Sequence, residues 1–258
     1  MVEAFYQPLG DGGLSSTKHT AGPWSPDSQH LGPPAALLVR ELERYQGADD
    51  MLLARVTVEI LGPVPLTELQ VFAQLERPGK SVEMLTATLR TDERPVVQAR
   101  AWRISRHDSS SQLGGAAAPL PPVENAVERE RPDGWSPGYI DAVEWRSLHG
   151  GLGEPGPARV WARQRIPLVE GETPTPLQRL FTVADSGSGV SNRLDPTHWW
   201  FINTELTVHL QREPVGEWIG LDANTVVGPN GVGTANTVLH DEQGQIANGT
   251  QALMVRPR

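Results

Sequence analysis

The chain has 258 residues, 38% of them hydrophobic and 21% charged, which is material for one large globular domain or two modest ones. No apolar run approaches the ~20 residues of a membrane span, and MVEAFYQPLG has no basic segment leading into an apolar core, so a cytoplasmic protein without a membrane partner is expected. With 31 acidic and 22 basic side chains the net charge is −9, which disfavours nucleic acid while leaving room for a small anionic ligand, and the absence of cysteine excludes disulfides, thiolate nucleophiles and cysteine-bound zinc.

In chain order, Pro33 to Arg44 (PPAALLVRELER) has helical spacing, with two prolines suited to a first turn. Strand-like runs follow at LLARVTVEIL, LTELQVFAQLER, SVEMLTATLR and VVQARAWRI, punctuated by PGK and DER. From Ser105 to Ser136 serine, glycine and proline cluster and periodicity is lost. Residues 106–136 therefore read as a crossover between an N-terminal unit, 1–105, and a C-terminal unit, 137–258. The second unit predicts a strand at RVWARQRIPL and a helix over TPTPLQRLFTVADSG, opened by Pro174 and Pro176. Its further strands are ELTVHL, EWIGLDANTV, VGTANTVLH and QIANGTQALMV. Asp195-Pro196-Thr197-His198 reads as a turn into a strand, and Asn230-Gly231 as hairpin chemistry.

The two strand sets superpose at a constant offset of 150 residues: Leu89 falls on Leu239, Val82 on Val232, Val96 on Ile246, and Thr57-Val58 on Thr207-Val208. A helix followed by an antiparallel meander, twice, is an α+β pattern. It resembles a double hotdog, two helix-plus-antiparallel-sheet units forming one continuous sheet. Eight tryptophans are many for this length, and several are expected to line core or groove surfaces.

The C-terminal half carries a sharper resemblance. FINTELTVHLQREPVGEWIGLDANTV and GQIANGTQALMVRPR resemble the second hotdog of the acyl-CoA thioesterase II family, in particular its actinobacterial thioesterase-like branch. The matching positions are Asn203, Arg212, Pro214, Glu217-Trp218, Thr225, Gln251 and Val255-Arg256. The AD ending at Asp185 resembles a Ser-Asp pair on the family's second helix, and QHLGPPAALLVREL resembles its first-half helix. The resemblance implies hydrolysis of an acyl-CoA to free acid and CoA. In that family Asp, Thr/Ser and Gln side chains hold the attacking water, and helix or strand amides polarise the carbonyl, so the resemblance implies these roles for Asn203, Thr225 and Gln251. It also implies a homo-oligomer, dimer or larger, and no cofactor. One departure is Asn203, which stands where the family has Asp. An amide cannot be a general base, though it orients water or donates a hydrogen bond. The alternative is a hotdog that binds acyl-CoA without turning it over.

Thr225 alternates with Ile219, Leu221 and Ala223, and Gln251 with Ala247, Gly249, Leu253 and Val255, so both polar side chains point to apolar strand faces. Buried polar groups need partners. Thr225 and Gln251 either satisfy each other around a water with Asn203, or form a structural pair, or are solvated near a strand end. At the 150 offset the first half has Leu53, Leu75 and Ala101, all apolar, so only one site retains polar chemistry. If position 203 does not activate water, Asp185, placed mid-helix, is the available base; otherwise it is a solvated or helix-terminal aspartate. His30 either lines the groove or is structural. No HExxH spacing, dinucleotide fingerprint or GxSxG elbow is present.

Overall fold

A computed structural model describes residues 3–10, 12–46 and 50–258. The first half contains β1 (Tyr6–Pro8), β2 (Leu14–Ser16), α1 (Gly32–Arg44), β3 (Met51–Ile60), β4 (Glu68–Arg77), β5 (Val82–Arg90) and β6 (Pro95–Ser105). The second contains β7 (Val127–Arg129), α2 (Tyr139–Ala142), β8 (Val143–Gly151), β9 (Glu154–Gln164), α3 (Pro176–Ala184) and α4 (Gly187–Val190). It ends with β10 (Trp199–Asn203), β11 (Glu205–Leu210), β12 (Ile219–Val227), β13 (Val232–Asp241) and β14 (Gly244–Pro257). Among the described residues no helix is long and apolar enough to cross a membrane.

All these strands join one antiparallel sheet in the order β1-β2-β4-β5-β6-β3-β11-β14-β13-β12-β9-β8-β7, with β10 also paired to β14. This is the double hotdog. The halves meet where β3 pairs with β11, and there Thr57 lies directly opposite Thr207, their hydroxyls 3.2 Å apart. The 150 offset holds through the ladders. Leu75 opposes Leu85 as Thr225 opposes Ala235, and Leu85 opposes Ala101 as Ala235 opposes Gln251. The register shift between Leu53 and Arg55 in β3 recurs at the corresponding place in the second half, where Thr204 separates β10 from β11.

Helix α1 starts with Pro33 and Pro34 in its first turn, where the missing N–H groups cost nothing. Leu37, Leu38 and Leu42 are fully buried, each contributing about 1.5–3 kcal/mol. Thr175 caps α3, its hydroxyl accepting the Gln178 N–H at 3.1 Å, with Pro176 at the first helical position. The two helices run antiparallel. At one end Arg40 forks onto Glu172, and Gln178 and Thr175 donate to Glu43. At the other, Gly32 is so close to α3 that a Cβ on it would lie 2.0 Å from the Thr182 carbonyl oxygen.

Five strands escaped the sequence pattern: the three-residue β1, β2 and β7, and the longer β8 and β10. In β8 the first three residues are all buried, because Glu144 is neutralised by Arg146 and Arg163, so the expected alternation is hidden. The five-residue β10 follows its turn too closely to show a period. The crossover region contains β7, and its preceding residues form a strap over the second half. There the Pro121 carbonyl accepts Trp161 Nε1–H at 2.9 Å and Gln245 Oε1 accepts the Ala117 N–H at 2.7 Å.

Candidate active site

Asp185 lies in the joint between α3 and α4, not in the middle of a helix as its sequence context suggests. The Ser186 N–H turns back to the Val183 carbonyl at 2.9 Å, a tightened last turn that ends α3 at Ala184. The chain restarts at Gly187, where a Cβ would sit 2.4 Å from Thr237 Oγ1 and 3.2 Å from Gln251 Oε1. This close approach brings the joint down onto β13 and β14.

Three of the four site residues expected from the sequence meet there. Asp185 Oδ1 accepts from Asn203 Nδ2 at 2.7 Å and from Gln251 Nε2 at 3.0 Å. The same Gln251 nitrogen donates to the Asp185 carbonyl at 2.9 Å, while Gln251 Oε1 accepts the Ser188 N–H at 2.9 Å. Asn203 is the last residue of β10 and also donates weakly to the Glu205 carbonyl at 3.3 Å. The Asp185 side chain is only 5% exposed, and burial pushes its carboxyl up to about 7. The Asn203 and Gln251 N–H groups favour the carboxylate and oppose that rise.

The fourth residue is elsewhere. Thr225 and Gln251 do not satisfy each other, because β13 lies between their strands and Ala235 between the two positions. Two strand spacings, roughly 10 Å, separate them. Thr225 Oγ1 instead pairs with Ser191 Oγ at 2.8 Å, and Ser191 donates to the Gly187 carbonyl at 2.8 Å. Its contact is with the α4 turn that carries Gln251's backbone partner.

His30, left open by the sequence, belongs to this cluster. Its Nδ1 lies 3.5 Å from Asp185 Oδ2 and accepts the Gly32 N–H at 3.0 Å. The ring stacks on Tyr139 at 3.8 Å with 4° between the planes, and burial lowers its pKa to about 3, so it is neutral. Tyr139 is itself fixed, donating to the Thr182 carbonyl at 2.9 Å and pairing with Ser186 Oγ at 2.8 Å.

Asp185, Asn203 and His30 open onto a largely apolar cavity of about 1030 Å³. Trp24, Trp135, Trp200 and Phe201 contribute to its wall, as do Leu31, Ile60, Val64 and Ile140. Trp24 packs edge-on to Phe201 at 4.7 Å. The tryptophan count pointed to such a surface without saying which residues form it. A cavity of this size accommodates a ligand of drug or cofactor dimensions. Among the described residues Asn192 Oδ1, also in the wall, is buried without a hydrogen-bond partner. Among the described residues no three His, Asp or Glu side chains group so as to hold a metal ion.

Other positions singled out in the sequence serve the scaffold. Arg212 forks onto Asp241 at 2.5 and 2.6 Å, closing the turn after β11. Trp218 has Arg146 over its ring at 5.1 Å and Arg163 at 4.7 Å. Asp195 holds a solvent-facing turn by accepting the Thr197 N–H at 2.8 Å, with His198 exposed.

None of the curated proteins compared matches the chain. Among solved structures, a conserved protein with a hot dog fold from Alicyclobacillus acidocaldarius has a TM-score of 0.75 at 15% identity, covering 95% of this chain and 93% of its own. The tesB protein of Mycobacterium avium subsp. paratuberculosis has a TM-score of 0.68 at 12% identity, covering 98% and 96%. An acyl-CoA thioesterase II from Mycobacterium marinum has a TM-score of 0.63 at 13% identity, covering 98% and 95%. At these identities the likeness is one of fold. The family models say more: the acyl-CoA thioesterase N-terminal domain matches residues 20–104 and the C-terminal domain residues 122–255. The chain belongs to the acyl-CoA thioesterase family.

Proposed function

We propose that the protein hydrolyses an acyl-CoA, with Asp185 as the general base. The observation that carries this reading is the Asp185 carboxyl in the cavity wall, held by Asn203 and Gln251 and raised to about 7. A base with a pKa near the working pH is half ionised there yet still takes a proton readily. As the water oxygen bonds to the thioester carbon, Asp185 takes its proton. When the C–S bond breaks, the leaving thiolate receives that proton, giving the acid and the free thiol.

Asn203 then replaces the family's carboxylate not as a base but as a donor that holds one. Gln251 fixes both the carboxylate and the backbone of Asp185, and Thr225 supports the α4 turn through Ser191. With the carboxylate supplied from position 185, Asn203 no longer argues for a binding protein without turnover. The cytoplasmic setting and homo-oligomeric assembly belong to the same reading.

The test is thiol release across a panel of acyl-CoA chain lengths and branching patterns, beside calorimetric binding of the same compounds. Release at a kcat near or above roughly 1 s⁻¹, in the ordinary enzyme range, is expected for at least one member. Binding without release of thiol from any of them refutes hydrolysis.

A further inference from the structure

The geometry points to His30 as a further catalytic residue, whose Nε2–H donates a hydrogen bond to the thioester carbonyl oxygen and stabilises the charge that oxygen gains when water adds. This assignment rests on the thioesterase reading above.

The tautomer follows from the contacts. A neutral imidazole carries one proton, and Nδ1 is occupied as an acceptor by the Gly32 N–H at 3.0 Å, so the proton is on Nε2. Among the described residues Nε2 has no hydrogen-bond partner, and the His30 side chain, 13% exposed, lines the cavity. The donor is therefore defined, unspent and presented where a substrate sits.

It is also rigid. One ring face lies flat against Tyr139, and Tyr139 is pinned by Thr182 and Ser186. A donor whose orientation is fixed before the reaction loses nothing to reorganisation as charge develops on its acceptor. The near edge of the ring stands 3.5 Å from Asp185 Oδ2. A carbonyl carbon beside the water held by Asp185 can thus place its oxygen toward the far edge of the ring, with base and donor on either side of one carbon.

Neutrality suits the arrangement. An imidazolium at this distance would hold Asp185 ionised and make it a poor base, whereas a neutral ring leaves the carboxyl free to take the proton. In the addition step the new C–O bond forms, the carbonyl π pair moves to oxygen, and His30 keeps its proton throughout. Collapse then expels the thiolate, which takes the proton from Asp185. The competing role for His30 is local: a cap on the Gly32 N–H and a plate against Tyr139.

Two substitutions separate these roles. In His30→Asn the side-chain oxygen reaches the Nδ1 position and keeps the Gly32 cap, but no donor remains at the far edge. His30→Gln places an amide N–H near the Nε2 position instead. If His30 is the carbonyl donor, His30→Asn lowers kcat by about 10²-fold with KM little changed, and His30→Gln retains most of the rate. Full activity in His30→Asn with loss in His30→Gln assigns His30 to the cap and overturns the proposal.

A readout free of both turnover and variants is the Nε2–H proton resonance of ¹⁵N-histidine-labelled wild-type protein. The probe is an acyl-CoA ketone in which a methylene replaces the thioester sulfur. Saturation with it is expected to move the His30 resonance downfield, and an unmoved resonance with the probe bound overturns the proposal. A protein that moves the resonance yet releases no thiol from the panel defeats the hydrolase reading and leaves the donor standing. One that hydrolyses with the resonance unmoved defeats only the His30 assignment, and failure to bind the ketone together with no thiol release from the panel defeats both.

Discussion

Asp185→Asn is expected to lower kcat by about 10²–10⁴-fold, the range for losing a general base, with substrate affinity nearly unchanged. The new amide is isosteric, and its oxygen can accept the hydrogen bonds that Asn203 and Gln251 now give to Oδ1 at 2.7 and 3.0 Å. In the wild type, kcat/KM should rise with pH and level off above about 7, following ionisation of Asp185. Steady-state kinetics from about pH 5 to 9 check both points, and a variant with wild-type kcat removes Asp185 from the mechanism. Asn203→Asp is the informative companion. From the sequence alone it restores the family's carboxylate and should raise the rate. In the structure it removes a donor and sets a second carboxyl 2.7 Å from the first, so the two would share a proton at neutral pH. A fall in kcat near neutral pH is therefore expected, and a rise would show that water is activated from position 203.

The second large effect is on stability. Asp185 is raised from 3.8 to about 7 in the folded protein, so folding favours its neutral form. Below pH 3.8 the group is protonated in both folded and unfolded chains and costs nothing. As pH rises from 3.8 toward 7 the unfolded chain ionises while the folded one does not, and stability falls throughout that window. Above about 7 the loss levels off at about 4 kcal/mol, from about 1.36 kcal/mol per pKa unit. Asp185→Asn escapes this penalty because its amide never ionises. Thermal melts should show variant and wild type close together near about pH 4, with the variant higher by on the order of 10 °C at about pH 8. A gap that does not change with pH would mean that Asp185 is not held against ionisation. Loss of activity together with a gain in stability is the signature of a group kept in a costly environment for its chemistry.

Much of the scaffold was legible because the strands obey period two. The buried faces carrying Thr225 and Gln251, each 2% exposed, follow directly from alternation with Leu221, Ala223, Leu253 and Val255. The constant offset identified Thr57 and Thr207 as equivalent positions, but that they face each other at the seam came only from the pairing of β3 with β11. The separation of Thr225 from Gln251 was recoverable from the meander, since consecutive hairpins put β13 between them. What period could not supply was the meeting of Asp185 with Asn203. The first sits at a helix joint and the second at a strand break, and only the packing of α4 on the sheet brings them to 2.7 Å. The cavity was equally hidden, since Trp24, Trp135 and Trp200 come from three segments whose local patterns say nothing about one another.

The Thr57–Thr207 seam has a consequence for how such a site could arise. In a dimer of identical hotdogs every substitution appears on both sides of the axis, so a residue that improves one site must also be tolerated at the other. With the axis running inside one chain, each side is free to change alone. The second half has Asn203 and Gln251 where the equivalent places of the first hold Leu53 and Ala101, packed as core. The first half nevertheless supplies His30, placed 3.5 Å from Asp185 by the antiparallel helices. One copy could thus become a lining for the other's chemistry.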